Sequence, residues 1–180
     1  YLRLSTRPLE QPMRTLSAKQ CRDIAQGGYW LRPPGPNSEI IIAYTGAVAP
    51  EAIEAAGLMA EDRRDVALLA ITSADRLHGG WSLASDARDQ GLSHARSHVE
   101  RLLAPVPAHA RIISVIDGHP ATLSWLGSVH GHRQRALGVN QFGQSGTIGD
   151  LYRRYGIDAQ ALLHAAENTQ GRPLRHLRQT

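Results

Sequence analysis

Three short aliphatic runs constrain this chain more than any other feature. "EIIIAYTG" (Glu39 to Gly46), "VALLAITS" (Val66 to Ser73) and "RIISVID" (Arg111 to Asp117) are apolar at consecutive positions. They lack the alternation of a strand that is wet on one face, so each predicts a strand buried on both. The segments between them are long enough to supply the cover. "VAPEAIEAAGLMAEDRRD" predicts a helix with Pro50 in its first turn and Ile53, Ala56, Gly57 and Met59 or Ala60 inward. "ADRLHGGWSLASD" predicts a loop. A longer helix from Asp86 to Leu103 follows, with Leu92, Ala95, Val99, Leu102 and Leu103 inward and Pro105 and Pro107 closing it. "HPATLSWLGSVHG" predicts a short helix, and "RALGV" a fourth, shorter strand. Tyr29 to Arg32 can form a leading strand, which the "PPGPN" turn pairs as a hairpin with Glu39–Gly46. Strands alternating with helices predict a mostly parallel sheet covered on both faces, with right-handed crossovers and an antiparallel first strand at one edge.

Length and composition agree with one globular domain. The chain has 180 residues and 42% hydrophobic residues, but only 5% aromatics, so aliphatic side chains and alanine must fill the core. No apolar stretch approaches the roughly 20 residues of a membrane-spanning helix. Cys21 is the only cysteine, which excludes an internal disulfide and a cysteine-held zinc and fits a reducing cytoplasm. No signal-peptide pattern opens the chain. It begins instead on "YLRLSTR", a strand-like alternation, followed by "RPLEQPMR" with Pro8 and Pro12. This reads as the last strand of an upstream unit and a linker, in a piece of a longer protein. The net charge is +4. Its arginines cluster at the front (Arg3, Arg7, Arg14, Arg22) and in the tail (Arg172, Arg175, Arg178), without the interleaved aromatics of a nucleic-acid surface. They read as solvated ends.

"GVNQFGQSGTIGDLYRRYGID" (Gly138 to Asp158) is the segment most like a phosphate loop, and its spacing fails each sharp pattern. Gly143, Gly146 and Gly149 follow the last strand, whereas a dinucleotide fingerprint follows the first. A P-loop needs Gly-Lys-Ser/Thr, and the only lysine is Lys19. A nucleophile elbow needs a second glycine two residues after the serine, and here Gly146 comes directly after Ser145. The loop is better explained as helix punctuation. Thr147 and Asp150 form a capping box, Gly156 ends that helix, and Asp158 caps "AQALLHAAEN", which Asn168 can end.

Histidines are the other candidates. "DGHP" sets Asp117 and His119 at the carboxyl edge of the sheet, where α/β folds hold ligands. Ser124 lies inside the predicted helix, a poor setting for a nucleophile. His94 and His98 are four apart, but Ala95 stands where a zincin has its glutamate. His130 and His132 flank Gly131 in a turn. Trp30, Trp81 and Trp125 read as core or interface anchors. No catalytic constellation emerges.

The order of these segments resembles the last domain of thiamine-diphosphate enzymes of the transketolase type, most closely the homodimeric first component of pyruvate dehydrogenase. The likeness rests on "GGYWLR", "EIIIAYTGAVAPEAIEAAGLM", "VALLAITSADRL" and above all "LGVNQFGQSGTIGDLYRRYGIDAQALLHAA", with its Phe-Gly-x-Ser loop and aromatic-Gly-Ile-Asp break. "YLRLSTRPLEQP" resembles the end of that family's pyrimidine-binding domain. The resemblance implies that residues 1–26 close that domain and its linker, and that residues 27–180 form the C-terminal domain. It implies a three-layer α/β/α sandwich around a five-stranded mixed sheet with an antiparallel first strand. It implies a homodimeric parent that uses thiamine diphosphate and a divalent metal such as magnesium, both held by upstream domains, so this piece has no catalytic, cofactor or metal residue. His119, Gln144 and Ser145 are its candidates for the rim of a substrate channel. The parent is expected to decarboxylate a 2-oxo acid and pass the acyl group to a lipoyl-carrier acyltransferase. "DGHPATLSWLGSVHGH" departs from the pyruvate enzymes and leaves ketol transfer, of the transketolase or deoxyxylulose-phosphate-synthase kind, as the alternative. Two rival readings are a standalone hydrolase built on His119 and Asp117, and a partner-docking module with an exposed tryptophan patch.

Overall fold

The computed structural model describes residues 7–10, 15–141 and 143–170. The strand expected at residues 1–6, Arg14 and the tail arginines lie outside them. Five strands form one sheet: β1 (Gly28–Arg32), β2 (Ile40–Thr45), β3 (Val66–Ile71), β4 (Arg111–Ile116) and β5 (Gln134–Leu137). Their spatial order is β1-β3-β2-β4-β5, and only the β1–β3 pair is antiparallel. The helices are α1 (Ala18–Ala25), α2 (Ala49–Glu61), α3 (Ala74–Asp89), α4 (His98–Leu103), α5 (Ile148–Tyr155) and α6 (Ala159–Gln170).

The aliphatic runs behave as their composition requires. Ile40, Ile42 and Tyr44 of β2 join Val66, Leu68, Ile113 and Val115 on one face, under α2, α5 and α6. Ile41 and Ala43 join Leu69, Ile71 and Ile112 on the other, under α3 and α4. Each isoleucine or leucine so enclosed contributes roughly 1.5–3 kcal/mol.

The expected hairpin does not form. β1 pairs with β3, Gly28 opposite Ile71, and not with β2. Both edges of β2 are taken by parallel six-residue ladders, to β3 and to β4. "PPGPN" instead carries the chain past the start of β3, where Glu39 N–H donates to Asp65 O. A turn signal marks a reversal of direction but not the partner. Two side-chain bonds fasten β1 to α4: Trp30 Nε1–H donates to Leu102 O (3.0 Å) and His98 Nε2–H to Gly28 O (2.8 Å).

Helix positions shift in several places. The inward face of α2 is Ala52, Ala55, Ala56 and Met59, while Ile53 is 48% exposed. Small alanines let α2 lie close to the sheet and to α6. The segment expected as a loop is α3, capped by Ser73, whose hydroxyl accepts from Arg76 N–H. The Gly79–Gly80 pair and the few apolar residues hid it. The long helix expected from Asp86 is broken: α3 ends at Asp89, Leu92 is 64% exposed in the connection, and α4 restarts at His98. "HPATLSWLGSVHG" forms two 3-10 turns, Pro120–Thr122 and Leu126–Val129, instead of a helix. The helix punctuation is as expected at Gly156, with φ 64°, and at Asp158, whose Oδ1 accepts from Ala161 N–H. Thr147 also caps α5, but the Asp150 carboxylate accepts from the Thr147 hydroxyl. α6 runs past Asn168 to Gln170.

The restart of α4 is held by a buried carboxylate. Glu100 Oε2 accepts from Ser97 N–H (2.6 Å) and Ser97 Oγ–H (2.7 Å), and Oε1 pairs with Arg88 (2.9 Å). Burial pushes the Glu100 carboxyl up, but the Ser97 bonds and the Arg88 charge outweigh it and hold it below the usual carboxylate value. A depressed folded-state pKa stabilises the fold above the unfolded value and is lost as pH falls through the folded one. Glu100→Gln is therefore expected to cost roughly 1.5–3 kcal/mol at neutral pH, the range for hydrogen bonds to a charged group. In denaturant melts across the acid range, the gap between the wild type and E100Q should close as pH drops below 4.5.

Candidate functional site

The topology makes one crevice at the carboxyl edge. β2 leads into α2 on one face of the sheet, whereas β4 leads into the 3-10 turns that bury Leu123 and Leu126 against the other. Adjacent strands whose connections leave to opposite faces open a gap at their carboxyl ends, the usual ligand position in open α/β sheets.

The chain's own leading segment fills this gap. Arg7 Nη1 donates to Ala47 O (3.1 Å), just past β2, and to Glu51 Oε1 (2.7 Å) in the first turn of α2. Its guanidinium lies 5.3 Å from the centroid of the Tyr152 ring. The Tyr152 hydroxyl in turn donates to Asp117 Oδ2 (3.2 Å), just past β4. Burial is the first cause that pushes the Tyr152 hydroxyl up to about 12, and the Asp117 charge adds to it. Tyr152 is therefore a fixed donor and no general base at neutral pH. A cavity of about 220 Å³ remains beside this group, walled by Val139, Ile148, Leu151 and Tyr155. Glu51 Oε2 is buried and has no hydrogen-bond partner among the described residues.

Of the sequence candidates, His119 is exposed and its Nδ1 accepts from Ala121 N–H (3.2 Å), capping the first 3-10 turn. That bond occupies the nitrogen that would otherwise act as a base. Ser124 Oγ donates to Ala121 O, so no activated serine stands beside His119. Gln144 and Ser145 are exposed in the loop before α5. His94 lies in the connection before α4 and His98 is bonded to Gly28, so the two do not share a helical face. His132 is buried, with Nδ1–H donating to Ala110 O, and His130 Nε2–H donates to Glu100 O. Burial, helped by His130, pushes His132 below its ordinary value. Trp81 of α3 stacks on Trp125 at 5.4 Å, both half-buried, with the exposed His78 of the same helix edge-on to Trp125.

Sequence reasoning missed Arg7, Glu51 and Tyr152. Arg7 and Glu51 are 44 residues apart and neither sits in a pattern. Gly138 shows how closely the edge is built. Val139 N–H donates to Gly118 O (2.7 Å), and a Cβ on Gly138 would stand 2.5 Å from that same oxygen. Gly138→Ala is expected to cost about 1–3 kcal/mol through overpacking, read as a fall in Tm. Arg7→Ala should cost about 1–3 kcal/mol, because it strips a part-buried carboxylate of its partner. A double-mutant cycle with Glu51→Gln should recover a coupling of about 0.5 kcal/mol or more; additive effects would show that the pair is not coupled.

The family described as the transketolase-like TK C-terminal domain matches residues 27–158. The chloroplastic transketolase of Zea mays is 26% identical over 160 residues, covering 88% of this chain and 21% of that one. Transketolase 1 of Vibrio parahaemolyticus is 28% identical over 163 residues, covering 91% and 21%. The chain thus spans about a fifth of the length of these curated relatives. The fold is shared with the transketolase of Pichia stipitis solved in complex with sedoheptulose-7-phosphate, with a TM-score of 0.55 at 20% identity over 88% of this chain and 20% of that one. A five-stranded sheet with one antiparallel edge pair, helices on both faces and a family match over most of its length place the chain in the family of transketolase-like C-terminal domains.

Proposed function

We propose that this chain is the C-terminal domain of a thiamine-diphosphate-dependent parent that transfers a ketol unit between phosphorylated sugars. The reported relatives are transketolases, and the Pichia stipitis neighbour was solved with a sugar phosphate. Both weigh for ketol transfer over the decarboxylation of a 2-oxo acid with acyl delivery to a lipoyl carrier. When bound, thiamine diphosphate supplies a carbanion that the protein must orient and keep dry. Among the described residues no group of three or more His, Cys, Asp or Glu side chains could hold its metal ion. The described residues therefore do not fit the metal ion that anchors the cofactor's diphosphate. In this reading residues 1–26 end the preceding domain, and cofactor and metal sit in upstream domains of the same chain or of a second copy.

The role left to this domain is structural. The observation that carries it is the crevice at the carboxyl edge, where Arg7, Glu51, Tyr152 and Asp117 engage one another and leave a cavity of only about 220 Å³, below the usual size of a small-molecule site. His119 and the Gln144–Ser145 loop stand on the same edge, exposed, and are the residues proposed for the rim of the parent's channel.

The full-length parent, loaded with thiamine diphosphate and magnesium, is expected to form a new ketose phosphate from a ketose-phosphate donor and an aldose-phosphate acceptor. Release of carbon dioxide from a 2-oxo acid without ketol transfer would overturn this choice. His119→Ala and Gln144→Ala in the parent should raise KM a few-fold at unchanged kcat, the signature of lost ground-state contacts. An unchanged KM would remove both from the rim.

A further inference from the structure

A second concavity lies away from the carboxyl edge, between β5 and α6. It encloses about 720 Å³ and is lined by Arg111, Arg133, Arg135, His164, Tyr155 and Asn168, among others. We propose that this groove binds a small polyanion carrying several phosphate groups.

Strand parity assembles the charge. Arg111 begins β4 on the same face as Ile113 and Val115, the face that packs under α2 and α6. Arg133, Arg135 and Leu137 alternate onto that face as well, because Gln134 points to the opposite one. There Gln134 Nε2 donates to Ser114 Oγ (2.8 Å) and Leu123 O (2.7 Å), while its Oε1 accepts from Gly127 N–H (2.6 Å). α6 covers the middle of the sheet and leaves the outermost strand half open, so three guanidinium groups and His164 surround one hollow.

The charge is also unneutralised. Elsewhere among the described residues, Arg7, Arg64, Arg88 and Arg153 each pair with a carboxylate. Among the described residues Arg111, Arg133 and Arg135 pair with none, a state they share with other surface arginines such as Arg76 and Arg96; what sets them apart is that they meet in one groove that no described Asp or Glu lines. Charged side chains on an edge strand do discourage pairing with other chains. That purpose needs no convergence of three cations on one face with a histidine from a helix. Like charges held together repel, and a bound polyanion relieves that repulsion while gaining forked guanidinium–phosphate bonds. The volume falls within the range of small-molecule sites, and Tyr155, Leu137, Ala161 and Ala165 supply an apolar wall.

The test is calorimetric titration of the intact protein with inorganic tripolyphosphate. Saturable one-site binding is expected, weakening by about tenfold or more in R133A/R135A, an effect of the size of one lost charge-assisted contact. The control R76A/R96A removes the same net charge from the side of the sheet that carries α3 and α4, and should leave Kd within about twofold. No saturable binding, or an equal loss in both double variants, would overturn the proposal. Should R133A/R135A fail to give the wild-type circular dichroism, His164→Ala on the exposed side of α6 decides: several-fold weaker binding supports the site, unchanged binding refutes it.

Discussion

Everything else in this fold follows from the enclosure of β2. Ile40, Ile41 and Ile42 have no exposed surface, and both backbone edges of the strand are hydrogen-bonded in parallel ladders. A strand without a free face or edge must have helices above and below and a neighbour on each side. Parallel neighbours in turn require crossover connections, so α2 goes to one face and α3 and α4 to the other. β1, which arrives first in the chain, finds no room beside β2 and takes the outer edge of β3.

Much of this was legible in the sequence because burial on two faces leaves a direct trace. The runs at Ile40–Thr45, Val66–Ile71 and Arg111–Ile116 needed no periodicity to be recognised. The strand order was not legible, since a turn such as "PPGPN" fixes local direction and says nothing of the distant ladder it serves. Helices on the rim of the core were read poorly. α3 buries Leu77 and Ala84 and little else, so its hydrophobic pattern is faint, and Gly79–Gly80 argues against it locally. The inward side of α2 is alanine, which contrasts weakly with its surroundings, while the more hydrophobic Ile53 faces out.

The candidate site was half legible. Asp117 and His119 could be placed on the carboxyl edge from their position after a buried strand. Their lack of mutual engagement could not: His119 spends its Nδ1 on a turn, and Asp117 is held by Tyr152. Long-range pairs such as Arg7 with Glu51 carry no local signature. The same limit applies to the arginine groove, whose members come from three elements and meet only through strand parity and an incomplete helical layer.

Arg7 has a mechanical consequence. It ties the leading segment to the end of β2 through Ala47 and to α2 through Glu51. Further along, the Thr72 hydroxyl at the end of β3 donates to Ile24 O (2.7 Å) and Arg76 donates to Ala25 O, tying the end of α1 to the same edge of the sheet. The leading segment and the end of α1 are thus each moored to the carboxyl ends of neighbouring strands, Arg7 at β2 and the end of α1 at β3. A pull on either mooring is taken up by the middle of the sheet, where the ladders are longest, and not by a lone edge strand.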